Sequence, residues 1–400
     1  MTRREFVALA AAVGRAQHGI AIESDGMLAI AGRRTFLLGL YQLPRVRDPW
    51  RAVADAGFHL VRVTPAQLPA AREHGLYGWI ALGSIRPDRA AADEERIRKV
   101  VEAARGDPAL LFWETEDEPT FVWKKPGELR VPPEQLVRTR RFVETLDASH
   151  PFYLNHAPTN LESTLCRYNE AADIVATDIY PVIPAGIREL YALWPDGRQG
   201  DLLNTYISQV GQYADKLRRV AGAQRAVFMV LQAFAWENLR EKDRDPQMVL
   251  YPTREQTRFM AYQSVVHGVT GILYWGLEYT PAEAPVWDDL ARLAGEFRTL
   301  AGELAARPLR LPVRFEYHDT GHSLDRGIEW MVKPGRPGPV LIAVNADCNP
   351  VEVTFRGLER FQEARELFTE APRVSRAAAL RARFEPFAVR VWRLGAQTRS

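Results

Sequence analysis

Leu110-Leu111-Phe112-Trp113-Glu114-Thr115-Glu116-Asp117-Glu118-Pro119 runs four apolar residues straight into four carboxylates within five positions. The apolar half reads as a buried strand and the proline stops it. Acids are costly to bury, and mutual repulsion makes a cluster of them costlier still. An extended chain has period two, so Glu114, Glu116 and Glu118 are expected to point the same way. A carboxyl at the rim of such a strand, crowded by like charges, is suited to hold a proton and deliver it. The plainer alternative is a solvated loop start with its acids paired to nearby arginines.

Seven more runs of this kind flank it: Thr35–Tyr41, His59–Val63, Tyr77–Leu82, Pro151–Asn155, Asp173–Tyr180, Ala226–Phe234 and Gly271–Trp275. Helical stripes lie between them. Ile97, Val100, Val101 and Ala104 fall on one face, as do Tyr206, Val210, Tyr213 and Leu217. Thr253 and Gln256 form a capping box ahead of Phe259, Tyr262 and Val266, and Gly268 closes that helix. Leu290, Leu293, Phe297, Ala301 and Leu304 stripe the last one. Eight alternations of strand and helix predict an α/β fold, a closed (β/α)8 TIM barrel over residues 35–307, rather than an open doubly wound sheet. The long stretches after strands four, six and seven, Pro119–Pro132, Pro181–Asp201 and Glu237–Pro252, then belong to the face where such barrels build their sites.

Outside the barrel the texture changes. Residues 17–34 alternate around Asp25-Gly26 and read as a hairpin capping the barrel. After Pro308 alternation replaces helical stripes, as in Val351, Val353 and Phe355, which predicts a C-terminal antiparallel β-sandwich over 308–396. Arg3-Arg4 followed by a short apolar run and small residues reads as a twin-arginine export signal over 1–16, implying a periplasmic or extracellular protein.

Composition removes several classes. Lys and Arg number 52 against 50 Asp and Glu, a balance that argues against a nucleic-acid binder working through a basic surface. The two cysteines, Cys166 and Cys348, build neither a disulfide framework nor a four-cysteine zinc site. The histidines are scattered without metal-ligand spacing, and no glycine-rich phosphate loop follows a strand. Asp325 spoils the nucleophile-elbow pattern begun at Gly321. No metal or cofactor is therefore expected, and no stretch is long and apolar enough to span a membrane.

Asp117-Glu118-Pro119 resembles the Asn-Glu-Pro end of strand four in clan A glycoside hydrolases, the retaining sugar-cleaving barrels. The resemblance implies that Glu118 is the general acid/base and that Asp117 stands in the asparagine position. Arg62 in Val61-Arg62-Val63, Asp178 in Asp178-Ile179-Tyr180-Pro181 and Trp275 in Tyr274-Trp275-Gly276 fall where that clan places an arginine near the carboxylates, strand six and a sugar-stacking tryptophan. Strand seven departs from it, offering Gln232 where the nucleophilic glutamate belongs, and an amide cannot serve as that nucleophile. Asp178, Glu237 or Glu278 could supply a second carboxylate. Alternatively, a substrate 2-acetamido group could attack with Asp117 orienting it, or the site could bind sugar without cleaving it. A barrel enzyme of other chemistry, such as a lyase, is a further alternative. The expectation is a glycoside hydrolase acting on an oligo- or polysaccharide, with Glu118, Asp117 and Asp178 catalytic. Arg62, Trp113, Glu116, Asn155, His156, Tyr180, Gln232, Trp236, Trp275 and Glu278 are expected to line the substrate.

Overall fold

The computed structural model describes residues 19–122, 125, 128–184, 204–318, 326–371 and 373–395. The expected export segment and most of the loop Pro181–Asp201 lie outside them. Three short strands, β1 (Ile20–Ile22), β2 (Leu28–Ile30) and β3 (Arg33–Thr35), open the described chain as an antiparallel sheet. Eight parallel strands follow: β4 (Leu37–Leu40), β5 (Leu60–Arg62), β6 (Tyr77–Ala81), β7 (Leu110–Asp117), β8 (Phe152–His156), β9 (Ile174–Ile179), β10 (Ala226–Gln232) and β11 (Gly271–Trp275). Each pairs with the next and β11 pairs back to β4, so the barrel closes and leaves no sheet edge.

The barrel is filled, not hollow. Phe112 lies 5.8 Å from Trp79, 5.4 Å from Tyr153 and 6.3 Å from Phe228, ring centre to ring centre. Ile20, Leu28 and Ile30 of the N-terminal sheet pack with these inner residues and cover the floor. Gly26 there has φ +81 and sits where a Cβ would meet the Arg225 carbonyl at 2.6 Å, so only glycine allows the approach. The opposite residues of each strand, such as Trp113, Leu154 and Val175, face the helices instead. The capping box forms as expected. The Gln256 amide donates to Thr253 Oγ1 at 3.2 Å, and the Thr253 amide donates to Gln256 Oε1 at 3.0 Å. No helix among the described residues is long and apolar enough to cross a membrane.

The C-terminal region is a β-sandwich. A three-stranded sheet orders β12 (Arg314–Tyr317), β15 (Val351–Arg356) and β18 (Arg381–Phe384). A five-stranded sheet orders β13 (Ile328–Lys333), β14 (Val340–Asn345), β19 (Val389–Leu394), β16 (Glu363–Glu366) and β17 (Arg373–Arg376). Phe355 and Trp392 meet edge to face at 5.3 Å between them. The sandwich rests on the helix Arg254–Val266, where Phe259 packs on Phe387 and Arg258 donates to the Val389 carbonyl at 2.8 Å.

His267, capping that helix, ties barrel to sandwich. Its ring bonds Asp215 of the barrel at one nitrogen and Glu329 of β13 at the other, each at 3.0 Å. Burial pulls its pKa down, but the two carboxylates outweigh burial and raise it to about 9. A histidine held this way contributes stability in full below its unfolded pKa near 6.5, and that contribution is lost as pH rises through about 9. Chemical denaturation between those limits should show the wild type losing stability while His267→Gln, weaker at pH 6 by about 1–3 kcal/mol, changes much less. Equal pH slopes in the two proteins would refute the tie.

Candidate active site

The acid-rich end of β7 opens at the C-terminal mouth of the barrel, but not in the alternation its sequence suggests. Glu114 pairs across to Tyr153, while Asp117 pairs to Asn155, so three steps on β7 match two on β8. This bulge breaks the period and re-aims the side chains. Glu114 points inward, 1% exposed, and its Oε2 takes Arg62 Nε and the Trp79 indole N–H, both at 3.0 Å. Glu116 turns aside to Arg130 at 3.2 Å and the Ser84 hydroxyl at 2.7 Å. The expected common direction of Glu114, Glu116 and Glu118 is therefore not found, and Glu116 is a loop anchor.

Glu118 carries the mark of a constrained position, with φ +39, a left-handed conformation that costs a non-glycine residue about 1 kcal/mol or more. Its amide donates to the Asn155 carbonyl at 3.0 Å, which extends the ladder one residue past the strand and fixes where the side chain leaves. The Glu118 carboxyl hydrogen-bonds that of Asp178, next to the end of β9. Burial, then the charges of Asp178 and Asp117, push the Glu118 carboxyl well above the usual carboxylate range. Asp178 is raised as well, by burial and then by Asp117. Two carboxyls in contact repel when both are ionised, so the pair favours sharing a proton.

Asn155 holds this group together. It is 4% exposed, and its Nδ2 donates to Asp117 at 3.0 Å and Asp178 at 3.3 Å. Below it, the Tyr41 and Tyr153 hydroxyls meet at 2.7 Å, and the Arg62 guanidinium lies 5.6 Å over the Tyr41 ring. Burial raises the Glu114 carboxyl to about 7, with Arg62 pulling against it. Arg62 is thus the partner of Glu114.

An aromatic wall closes the other side. Tyr180 and Trp275, both half-buried, stack at 5.6 Å with planes 25° apart. Phe234 stands edge-on to both, and the Trp236 indole donates to the Tyr180 carbonyl at 3.1 Å. Gly276, φ +104, has the Phe234 ring 2.4 Å from where a Cβ would lie, so the residue after Trp275 must be glycine for this packing. Exposed Tyr279 lies 5.3 Å from Trp275 and extends the wall outward.

The structure thus brings together Arg62, Asp117, Glu118, Asn155, Asp178, Tyr180, Trp236 and Trp275. It separates others. Trp113 faces the helices and donates to Asp147 at 2.9 Å. His156 also faces outward, edge-on to Tyr168 at 5.9 Å, and burial, then Lys216, lower its pKa to about 3. Neither can reach a ligand in the mouth. Gln232 is 1% exposed and fully engaged: its Oε1 accepts from the Val182 amide, and its Nε2 donates to the Val182 and Phe234 carbonyls, all at 3.0 Å. It clamps the chain after β9 and has no N–H left for a sugar. Glu278 bonds Gln42 at 3.1 Å on the surface, and Glu237 is buried against the Asp245 amide. Sequence reading gave no role to Glu114, Trp79, Tyr41 or Tyr153. The signal for Glu114 was present, as an acid inside an apolar strand. Among the described residues, no three His, Cys, Asp or Glu side chains gather as metal ligands.

No family model and no curated protein matches the sequence. Solved structures do resemble the fold. AmyP in complex with maltose superposes with TM-score 0.55 at 10% identity, over 97% of this chain and 99% of that one. The α-amylase of Geobacillus thermoleovorans complexed with acarbose gives 0.54 at 10% identity, over 91% and 100%. A point mutant of the glycoside hydrolase family 5 mannosidase from Rhizomucor miehei gives 0.51 at 10%, over 72% and 99%. At such identity the likeness is one of fold: a barrel architecture that is seen in glycoside hydrolases.

Replacing Gln232 by Glu tests the clamp. A carboxylate would face two carbonyl oxygens without an N–H to give them, so Gln232→Glu should lose about 2–4 kcal/mol at neutral pH in urea unfolding. The loss should shrink as pH falls and the new carboxyl protonates. A variant as stable as the wild type would show that the amide is not needed.

Proposed function

We propose that the protein is a glycoside hydrolase in which Glu118 protonates the glycosidic oxygen. The observation that carries this reading is the contact between the Glu118 and Asp178 carboxyls, both pushed up by burial and neighbouring charge, beside the Tyr180–Trp275 wall at the barrel mouth. A proton kept at neutral pH is what a leaving oxygen requires, and an aromatic face suits the apolar side of a pyranose ring. The pair is closer than the roughly 5–5.5 Å of retaining or 6.5–9.5 Å of inverting carboxylates, so a sugar must part the two side chains as it binds. Once the Glu118 proton turns to the leaving oxygen, Asp178 is left as a carboxylate facing the developing positive charge. There it stabilises that charge and draws a proton from the attacking water.

A second reading, carbohydrate binding without cleavage, is favoured by one observation. By the resemblance of the sequence, Gln232 stands at the seventh-strand position where retaining clan A hydrolases carry their nucleophile, and its amide is wholly engaged in structure.

Chromogenic glycosides separate the two. Turnover of at least one should fall about 100-fold or more in Glu118→Gln, with a smaller loss on substrates whose leaving group needs no proton. Asp178→Asn removes the negative charge that helps keep Glu118 protonated, so the alkaline limb of kcat should move to lower pH. Unchanged turnover in Glu118→Gln, or a limb that stays in place, would defeat the acid assignment. Absence of turnover on every glycoside, with sugar binding retained, would select the second reading.

A further inference from the structure

The main chain of Glu118 is gripped on both sides of its Cα. Its amide sits on the Asn155 carbonyl, and its own carbonyl accepts from the Phe121 amide at 3.1 Å and from Arg130 Nε at 3.3 Å. The bond from Phe121 belongs to the turn; the bond from Arg130 depends on a side chain. Arg130 lies 12 residues on, where the loop after β7 returns to its start. Its neighbour Val131 donates to the Pro119 carbonyl at 2.9 Å and accepts from the Tyr168 hydroxyl at 2.7 Å. Residues 130 and 131 therefore lie along Glu118 and Pro119 as a strap.

Arg130 is itself held. Its Nη1 donates to Glu116 at 3.2 Å, the Ser84 hydroxyl donates to the other oxygen of Glu116 at 2.7 Å, and Gln135 Nε2 donates to that hydroxyl at 2.8 Å. This chain of bonds runs from the helix Pro133–Glu144, through the loop after β6, to the carbonyl of Glu118. A surface arginine paired once with a carboxylate contributes little order. One whose planar fork spans a carboxylate and a carbonyl is fixed in direction. The plainer alternative is that these bonds only close the loop. Two observations point past it. The carbonyl that Arg130 takes belongs to the residue with φ +39, where the chain would relax if released. The guanidinium is also the charge that opposes the rise of the Glu118 carboxyl, which burial, Asp178 and Asp117 push up. Tyr180 faces the same acids and is kept neutral by its burial. An acid that holds its proton too tightly delivers it poorly. Resting on the reading of Glu118 as the acid, we infer that Arg130 is a positioning residue for it: the guanidinium locks the strained main chain of Glu118 and stands as counter-charge to the carboxyls, while Glu116 keeps the guanidinium in place.

Two substitutions separate the parts. Arg130→Gln removes charge and fork together; Arg130→Lys keeps the charge and loses the fork. The side chain is half-exposed, so both variants should fold, which thermal unfolding checks. On glycosides with a poor leaving group kcat should fall about tenfold in each, the size of one charge-assisted hydrogen bond. KM should hold, and substrates whose leaving group needs no proton should lose much less. The alkaline limb of kcat should move to higher pH in Arg130→Gln, since loss of a positive charge tightens the hold on the proton, and should move less in Arg130→Lys. Glu116→Gln, which frees one end of the fork, should lose less than Arg130→Gln and add little to it in the double variant. Equal losses on both kinds of leaving group, or a limb that stays in place in Arg130→Gln, would overturn the inference. The carboxyl carbon resonance of Glu118, assigned by its disappearance in Glu118→Gln, reads the same charge without substrate, and its titration midpoint should rise in Arg130→Gln. That rise with no glycoside cleaved would end the hydrolase reading and leave the hold of Arg130 on this carboxyl standing. Turnover that needs Glu118 but is indifferent to Arg130 would do the reverse.

Discussion

Two carboxyl groups held in hydrogen-bond contact share a proton because the alternative, two adjacent charges in a poorly hydrated mouth, costs too much. That constraint acts on Glu118 and Asp178, and the surrounding structure serves to keep it in force. Pulling Glu118 back to ordinary backbone geometry would relieve its φ of +39 but would release the contact. The bulge on β7, the amide of Glu118 on the Asn155 carbonyl and the amide of Asn155 on Asp178 all oppose such a release. Local strain is tolerated here because several independent bonds over-determine the position.

The packed interior below the mouth is part of the same arrangement. Trp79, Phe112, Tyr153 and Phe228 fill the barrel, so water cannot reach the carboxyls from beneath. Trp79 and Tyr153 have a second use, since each sends its polar tip upward, one to Glu114 and one to Tyr41. An aromatic side chain with a polar end is what a layer between core and site requires. Burial raises Glu114, Glu118 and Asp178 alike; Arg62 pairs with the Glu114 carboxylate, while Arg130 bonds the Glu118 carbonyl and pulls against the rise of its carboxyl.

The barrel was legible in the sequence because its signal is repeated eight times and each repeat is set by burial on two faces. Strand ends were read to within two residues, and the cluster at Glu118 was found from charge alone. What could not be read was the bulge. One extra residue between Glu114 and Asp117 inverts the direction of everything after it, and no residue type announces it. Some errors were avoidable. With Glu114 inward, alternation already sends Trp113 outward, and with Asn155 inward it sends His156 outward. Gln232 stands out in the sequence as an amide where the resemblance calls for a carboxylate. That its amide would clamp Val182 depends on a chain fifty residues away, which spacing along β10 does not encode.

The acids of this mouth sort by what faces them. Glu114 and Glu116 each meet an arginine and at least one neutral donor, and each fixes the placement of another element: Arg62 of β5 with Trp79 of β6, and Arg130 with Ser84. Asp117 and Asp178 share the Asn155 amide, and Glu118 meets Asp178 through its carboxyl and Arg130 through its carbonyl. Asp117 accepts from the Asn155 amide, and its charge is among the causes that raise Glu118 and Asp178, so it serves the electrostatics of the neighbouring carboxyls.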